Sequence, residues 1–344
     1  MRAHIHQSTT HHMRITRAPW TRWIPEHARR GPRLIRRRAM TRADFATACI
    51  TAATAVTIAA VPKLISLCST HWRAVSAVAY AVNVVAVSIP GRIDGEMQEH
   101  ARRRKAQSAN ASASSPAIPE DSEFRSLFTP AGWAFAIWGV IYLGEAFGTA
   151  LQVANAGDVA AVRGVIPYWA CACALQTLWC VAFRPAFRAP RHFWLSSAIL
   201  IAEAWALGRA HAEARRVAAS VSALTYGGVL VPLALHYGWI MCASLVNVNS
   251  LVAKTCAIDT QLAMGFLSAF GGAALGAGVT VVTGDPIVSA VVAWALAAVA
   301  SDGGKRTTET LPDAPLRALA KAARWGSRFA LCASAFRAFV PKRA

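Results

Sequence analysis

Acidic side chains are scarce in this chain: 17 Asp and Glu in 344 residues, with charged residues of both signs making up only 15%. A soluble domain of this length spreads charge over its whole surface. Here long apolar runs alternate with short basic loops, which excludes that class and is the pattern of a polytopic helical membrane protein. Metal and disulfide signatures are also missing. The eight cysteines include no CxxC pair and no Cys/His ligand spacing, so neither a zinc site nor a disulfide framework is indicated. In apolar helices cysteine serves as a small filler. There is no nucleotide loop, no nucleophile–base arrangement and no pair of carboxylates facing a cleft, so neither an enzyme nor a metal site is expected. Retinal-type chemistry would need a lysine inside a late apolar span, and neither 261–283 nor 286–301 has one.

Positive charge is plentiful but confined. Of the net +19, residues 1–43 contribute eleven Arg against one Glu, and residues 302–344 contribute nine Lys and Arg against three acids. A nucleic-acid partner would need a folded basic surface, and the intervening body has only a small excess, so no nucleic acid is expected. Residues 1–43 are rich in Arg, His and Thr and include "RRGPRLIRRR". That is the composition of an organellar transit segment, mitochondrial or plastid, and it lacks the apolar stretch of a secretory signal. The alternative is a disordered basic tail beside anionic lipid.

Apolar spans are expected at 73–90, 129–151, 166–183, 193–209, 223–252, 261–283 and 286–301, each near or above the roughly 17–25 residues a bilayer core requires. Three readings stay open for 44–67: an eighth span, an interfacial segment, or part of a removed leader. The loop 91–128 contains the low-complexity stretch "ARRRKAQSANASASSPAIPED", which has no reason to fold alone. Asp285 and Pro286 suit a helix start. Gly272 and Gly276 in "FGGAALGAG" have the spacing of close helix contact, not of a phosphate loop. The tail 302–344 places Arg317, Lys321, Arg324 and Arg328 at helical spacing and reads as a basic amphipathic helix lying on a membrane surface. Loop charge puts the 91–128 loop and this tail on one cytoplasm-like side.

Within the spans, aromatic and polar residues share faces. Phe135, Trp138, Tyr142 and Glu145 fall at i, i+3, i+7 and i+10, a single stripe. Trp133 points elsewhere unless Pro130 keeps the first turn non-helical. Trp169, Gln176, Trp179 and Phe183 form a second stripe; Pro232, His236, Trp239, Ala243, Asn247 and Ser250 form a third. Trp194 and Trp205 lie together on the 193–209 span, with Glu203 opposite. Aromatics at span ends serve as interfacial anchors, which accounts for Trp194 and for Trp169. Trp138, Trp179 and Trp239 lie deeper, each beside a polar residue, as an inward face requires. Asn83, Gln176 and Asn247 are open to two roles, interhelical hydrogen bonding or lining of a pocket. Glu145 and Glu203 are functional candidates, because a carboxylate within the membrane is costly unless paired, protonated or wetted.

The runs "FTPAGWAFAIWGVIYL", "QTLWCVAF" and "HYGWIMCASLVNVN" resemble the tryptophan-rich sensory protein / translocator protein family (peripheral benzodiazepine receptor type), and most of all its divergent branch. The resemblance rests on Trp133, Phe135, Trp138 and Tyr142, then Gln176 and Trp179, then Trp239 and Asn247, over about residues 73–252. It implies an all-α integral membrane fold: a five-helix bundle over 73–252, roofed by loop 91–128, with a pocket between helices. The spans at 261–301 would be two additional C-terminal helices without an assigned role. The resemblance also implies binding of porphyrin, haem or sterol with no required cofactor; a sterol is less expected because "LVNVNSLVAK" has no Tyr before its basic residue.

The resulting expectation is a membrane-embedded binding or sensory protein holding a planar apolar ligand, foremost a tetrapyrrole. Its pocket would be lined by Trp133, Phe135, Trp138, Tyr142, Gln176, Trp179, His236, Trp239 and Asn247. A homodimer is compatible with this reading. The rival class is a transporter or proton-coupled permease using Glu145, Glu203 and His236.

Overall fold

Helical periodicity dominates the computed structural model of the protein, which describes residues 41–88, 103, 125–304 and 311–340. The expected leader, most of loop 91–128 and tail positions 305–310 and 341–344 lie outside the described residues. Among the described residues there are nine long helices: α1 (Arg42–Ala59), α2 (Val61–Ser88), α3 (Ile137–Ala154), α4 (Ile166–Ala182), α5 (Pro190–Val217), α6 (Val231–Thr255), α7 (Ile258–Thr283), α8 (Pro286–Asp302) and α9 (Asp313–Phe339).

Their ends follow local chemistry. A capping box starts α1: Thr41 Oγ1 accepts from the Asp44 amide, and Asp44 Oδ2 accepts from the Thr41 amide, which satisfies two otherwise orphaned donors. Asp285 caps α8 by accepting from the Ile287 amide at 2.9 Å, with Pro286 in the first turn. Gly284 and Gly303, at positive φ, close α7 and α8. Before α3 the chain makes a 3₁₀ turn over Gly132–Ala136. Before α6 it makes a π-helical turn over Tyr226–Leu230, and Pro232 follows in the first turn of α6.

Among the described residues, four helical stretches are long and apolar enough to cross a bilayer: Gly132–Ala154, Val159–Ala182, Ala223–Thr255 and Ile258–Thr283. The pair α1–α2, bent by 53°, adds a fifth if it is one broken span. The molecule is an all-α, multi-pass integral membrane protein. Large apolar side chains exposed on the helices, among them Leu143 and Phe147 on α3 and Leu267, Phe270 and Val282 on α7, form its lipid-facing surface. The seven spans read from hydropathy are not all of this kind. α8 is apolar but short, and α5 extends to Val217 through the charged run "GRAHAEARRV". Nor is 44–67 one element: the chain bends at Ala60, and residues from Val61 onward belong to α2, which is itself distorted at His71.

α2 lies against α4, α4 against α5, and α5 against α6; α3 lies against α2 and α6, while α7 and α8 cover another side of α6. The amphipathic tail helix departs from expectation. α9 does not lie across the surface; it runs antiparallel along α8, with Ser327 Oγ donating to the Ala293 carbonyl and Ser334 Oγ to the Pro286 carbonyl, each at 2.8 Å. Small residues permit this. An added Cβ at Gly326 would come within 2.8 Å of the Ala269 carbonyl oxygen. Gly272 and Gly276 also act as contact points, against Leu245 and Val292. Arg125 pairs with Asp302, so the end of the 91–128 loop meets the start of the tail.

α3 packs tightly against the π-helical turn and the start of α6. A Cβ on Gly144 would lie 2.5 Å from Pro232 Cγ, and one on Gly148 would collide with the Gly228 carbonyl oxygen. Gly148→Ala should therefore destabilise the protein by about 1–3 kcal/mol, the usual cost of overfilling a tight contact. Gly139→Ala, where the added methyl meets nothing within 4 Å, should leave thermal stability in detergent unchanged. Equal melting temperatures for the two variants would contradict this contact.

A second prediction concerns the α3–α4 connection. Asp158 accepts from the hydroxyls of Thr225 and Ser222 and from the Ser222 amide. These bonds, that from Thr225 first, hold its carboxyl down at about 2. A carboxylate whose folded pKa lies below its unfolded value of about 3.9 stabilises the fold above that value and loses the contribution as pH falls toward the folded one. Melting temperature should accordingly fall more steeply between about pH 4 and pH 2 in the wild type than in Asp158→Asn. Parallel pH profiles would show that this contact contributes nothing.

Candidate functional site

The deepest feature of the interior is a group of ionisable side chains from three helices. Glu145 of α3 accepts at Oε1 from the indole N–H of Trp169 (2.9 Å), and the same oxygen lies 2.8 Å from Nδ1 of His236 on α6. The other ring nitrogen, Nε2, is 3.4 Å from Oε1 of Glu203 on α5. Glu203 and His236 are wholly buried, and Glu145 nearly so. Among the described residues no group of His, Cys, Asp and Glu has the arrangement of a metal site. Trp169 is thus not the interfacial anchor that its position near a span end suggests. Its ring is buried and its N–H is committed to the carboxylate.

Above this group the aromatics assemble. Trp138 stacks on Tyr142 (5.1 Å between centroids) and meets His236 and Trp239 edge-on at 5.6 and 6.2 Å. Phe135 is edge-on to Trp239 at 5.5 Å. A cavity of about 270 Å³ is walled by Phe135, Trp138, Gln176, Trp179, Trp239 and Asn247. α8 closes its far side with Val292, Ala295, Leu296 and Val299. A second cavity, of about 530 Å³, opens between α2, α3 and α4 and is lined by Tyr80, Tyr142 and Arg184 among others. Trp138, Gln176, Trp179 and Phe183 line both, so they are the partition.

Three expected pocket residues stand elsewhere. Trp133, in the 3₁₀ turn, is half-exposed and sits edge-on against Trp294 of α8 at 4.7 Å. Ideal helical spacing already sets it off the Phe135–Trp138 face, and the 3₁₀ turn that also holds Phe135 does not bring it back. Tyr142 borders the second cavity and not the first. His236 lies behind Trp138 and lines neither. The polar residues take both roles that the sequence left open. Asn83 Nδ2 donates to Gln176 Oε1 at 2.8 Å, tying α2 to α4, while Gln176 also lines both cavities. Trp179 Nε1 donates to Ser196 Oγ (2.9 Å), which donates to Asn247 Oδ1 (2.6 Å), tying α4, α5 and α6 at the cavity wall. The α8 wall was not foreseen, because an unbroken apolar run carries no signal of which residues face a cavity.

These features define a multi-pass helical membrane protein with an aromatic-walled internal cavity suited to an apolar ligand. The chain belongs to the TSPO-like protein family, whose model matches residues 115–322. The match starts within the 91–128 loop and runs through α7 and α8 into α9, so it covers the helices that the motif resemblance had left outside. No curated protein and no solved structure matches the chain.

Trp169→Phe keeps an aromatic ring but removes the indole N–H together with part of the buried indole. Leaving a buried acceptor short of a partner costs about 1–3 kcal/mol, so the variant should unfold at lower temperature in detergent. Trp205→Phe, on the exposed side of α5, should not. A Trp169→Phe protein as stable as the wild type would mean that the indole N–H contributes nothing to holding Glu145.

Proposed function

We propose that the protein is a membrane-embedded binding or sensory protein that holds a flat, apolar ligand with polar edges, of the tetrapyrrole class. The observation that carries this is the convergence of Trp138, Trp179, Trp239 and Phe135 with the amides of Gln176 and Asn247 on one cavity. Flat rings gain from stacking on such faces, and a few placed polar groups set their orientation. Among the described residues no His or Met lines either cavity, while Cys242 lines the first and Cys180, Tyr80 and Tyr142 line the second. Aromatic stacking, which porphyrin and haem share, is therefore the contact this reading relies on. The cavity of about 270 Å³ is small for such a ring on its own. The adjoining one, of about 530 Å³, gives the needed room once the shared partition shifts. A sterol is the weaker candidate.

In this reading the bundle comprises the helices over 73–252, with the helices over 261–301 as a further wall, in an organellar membrane. The protein binds and does not catalyse. A second reading, a proton-coupled permease, is favoured by one observation, the meeting of Glu145, His236 and Glu203 in the bundle interior.

Saturable quenching of tryptophan fluorescence by protoporphyrin in detergent tests the binding reading. Trp138→Leu and Trp239→Leu should each weaken affinity about three- to tenfold, since such contacts are worth about 0.5–1.5 kcal/mol beyond area. Trp194→Leu, on a half-exposed side chain away from both cavities, should leave it nearly unchanged. Equal losses in all three variants, or no saturable quenching in the wild type, would remove the cavity as the site. Uptake into reconstituted vesicles that Glu145→Gln abolishes would favour the permease.

A further inference from the structure

The bundle interior holds a polar file that the cavity does not need. On α3, Glu145, Thr149 and Gln152 follow one another at i, i+4 and i+7, all buried. Gln152 lies two residues before the last residue of the helix, Ala154, and its carbonyl accepts from the amide of the cap residue Asn155. Between Glu145 and Gln152 lies a chamber of about 20 Å³, also bordered by Thr149 and Trp169. A water needs about 10–15 Å³ and at least two polar partners. Two stand ready: Glu145 Oε2 and Gln152 Oε1 are buried and accept no hydrogen bond among the described residues. Beyond Glu145 the file continues through His236 to Glu203.

We propose that Glu145, His236 and Glu203 form a proton-binding site, loaded from the Asn155 end of α3 through Gln152 and Thr149, whose occupancy is felt by Trp138 at the cavity wall. With both carboxylates ionised and a neutral imidazole the group bears two negative charges, and electrical neutrality needs two added protons. A neutral imidazole has one N–H and serves one carboxylate; an imidazolium serves both, one from each nitrogen. The remaining proton sits on a carboxyl. Protons come from water at the Asn155 end and cross the chamber to Glu145 Oε2. Rotation of the carboxyl group then presents the acid hydrogen to His236 Nδ1. One proton stays on the imidazolium and the other rests on a carboxyl, reaching Glu203 when Nε2 releases a proton as Nδ1 takes one up.

The surrounding groups do not supply the missing positive charge. Among the described residues, Tyr142 of α3, Cys173 and Cys180 of α4 and Tyr80 of α2 are the other titratable side chains in electrostatic reach. α8, pressed against α6 at Gly238, has no titratable side chain before Asp302. Trp138 is the reporter because its ring lies edge-on to His236 while lining both cavities. This inference rests on the cavity reading only for that last step.

The test uses the full chain in detergent and needs no ligand. Infrared difference spectra between about pH 5 and pH 9 should show a buried carboxylic-acid carbonyl band that comes and goes with pH. The band should be lost in Glu203→Gln and in Glu145→Gln, with helix content unchanged. Tryptophan emission should titrate with the same midpoint in the wild type and lose that response in Trp138→Phe. After a pH jump, Gln152→Leu should slow the emission change several-fold while leaving its amplitude intact. Should Glu145→Gln fail to fold, Glu203→Gln and Gln152→Leu decide the matter. A band that is absent in the wild type, or unmoved in both Gln variants, overturns the site. An unaltered rate in Gln152→Leu overturns the route, and an emission response that survives Trp138→Phe overturns the link to the cavity. Absence of protoporphyrin quenching alongside a moving band would discard the tetrapyrrole reading and leave the proton site standing.

Discussion

A carboxylate buried among apolar helices must be held by something, and in this protein Glu145 is held by Trp169 and His236. The geometry around it follows from that need. α3 must come close enough to α6 for a 2.8 Å contact, and glycines one residue before and three after the carboxylate, facing Pro232 and Gly228, remove the side chains that would keep the backbones apart. The π-helical turn ahead of Pro232 shifts the register of α6 at the same point, a distortion often found where a helix serves a function. α4 is drawn in because its indole supplies the second donor, and α5 because Glu203 faces the other ring nitrogen.

The distribution of aromatics follows from this polar centre. A charge-bearing group in a membrane interior needs apolar cover on one side and partners on the other, and wide rings with one polar edge provide both. Trp138 shields His236 while its opposite surface borders the cavities. Trp179 turns its N–H to Ser196 and its ring to the cavities. Trp194 and Trp205 have no such partner among the hydrogen bonds of the described residues and stand half-exposed on α5.

Much of this was legible in the sequence, because helical spacing is a strong constraint inside a membrane. Glu145 is buried and Trp138 and Tyr142 of its stripe are partly buried, while Phe135 borders the cavity from a half-exposed position. Glu203 lies opposite Trp194 and Trp205, and Gly272 and Gly276 are contact points. What periodicity could not give was depth and end geometry. Trp169 sits near a span end and was read as an anchor, yet a preceding 3₁₀ segment, Val159–Val165, extends that stretch and places the ring inside. Trp133 lies off the Phe135–Trp138 face already by ideal helical spacing, and the 3₁₀ turn before α3 does not bring it back: it meets Trp294 of α8. The basic stripe of the tail marks only one face of α9; on the other face Ala323, Gly326 and Ala330 are buried, and Gly326 lets the helix close on Ala269 of α7 and Leu296 of α8.

The helices after α6 illustrate how a wall can be essential and still silent in sequence. α8 offers the cavity only aliphatic atoms, so no polar or aromatic residue marks its inner face. Its position is nevertheless fixed from three sides: Val291 fills the space over Gly238, Val292 lies on Gly276, and α9 bonds to its carbonyls at Ala293 and Pro286. Val292 is both the residue wedged against α7 and a lining residue of the cavity. The shape of the cavity therefore depends on the contact among α6, α7, α8 and α9 as much as on the tryptophans. That dependence gives the C-terminal helices a physical place in the cavity wall.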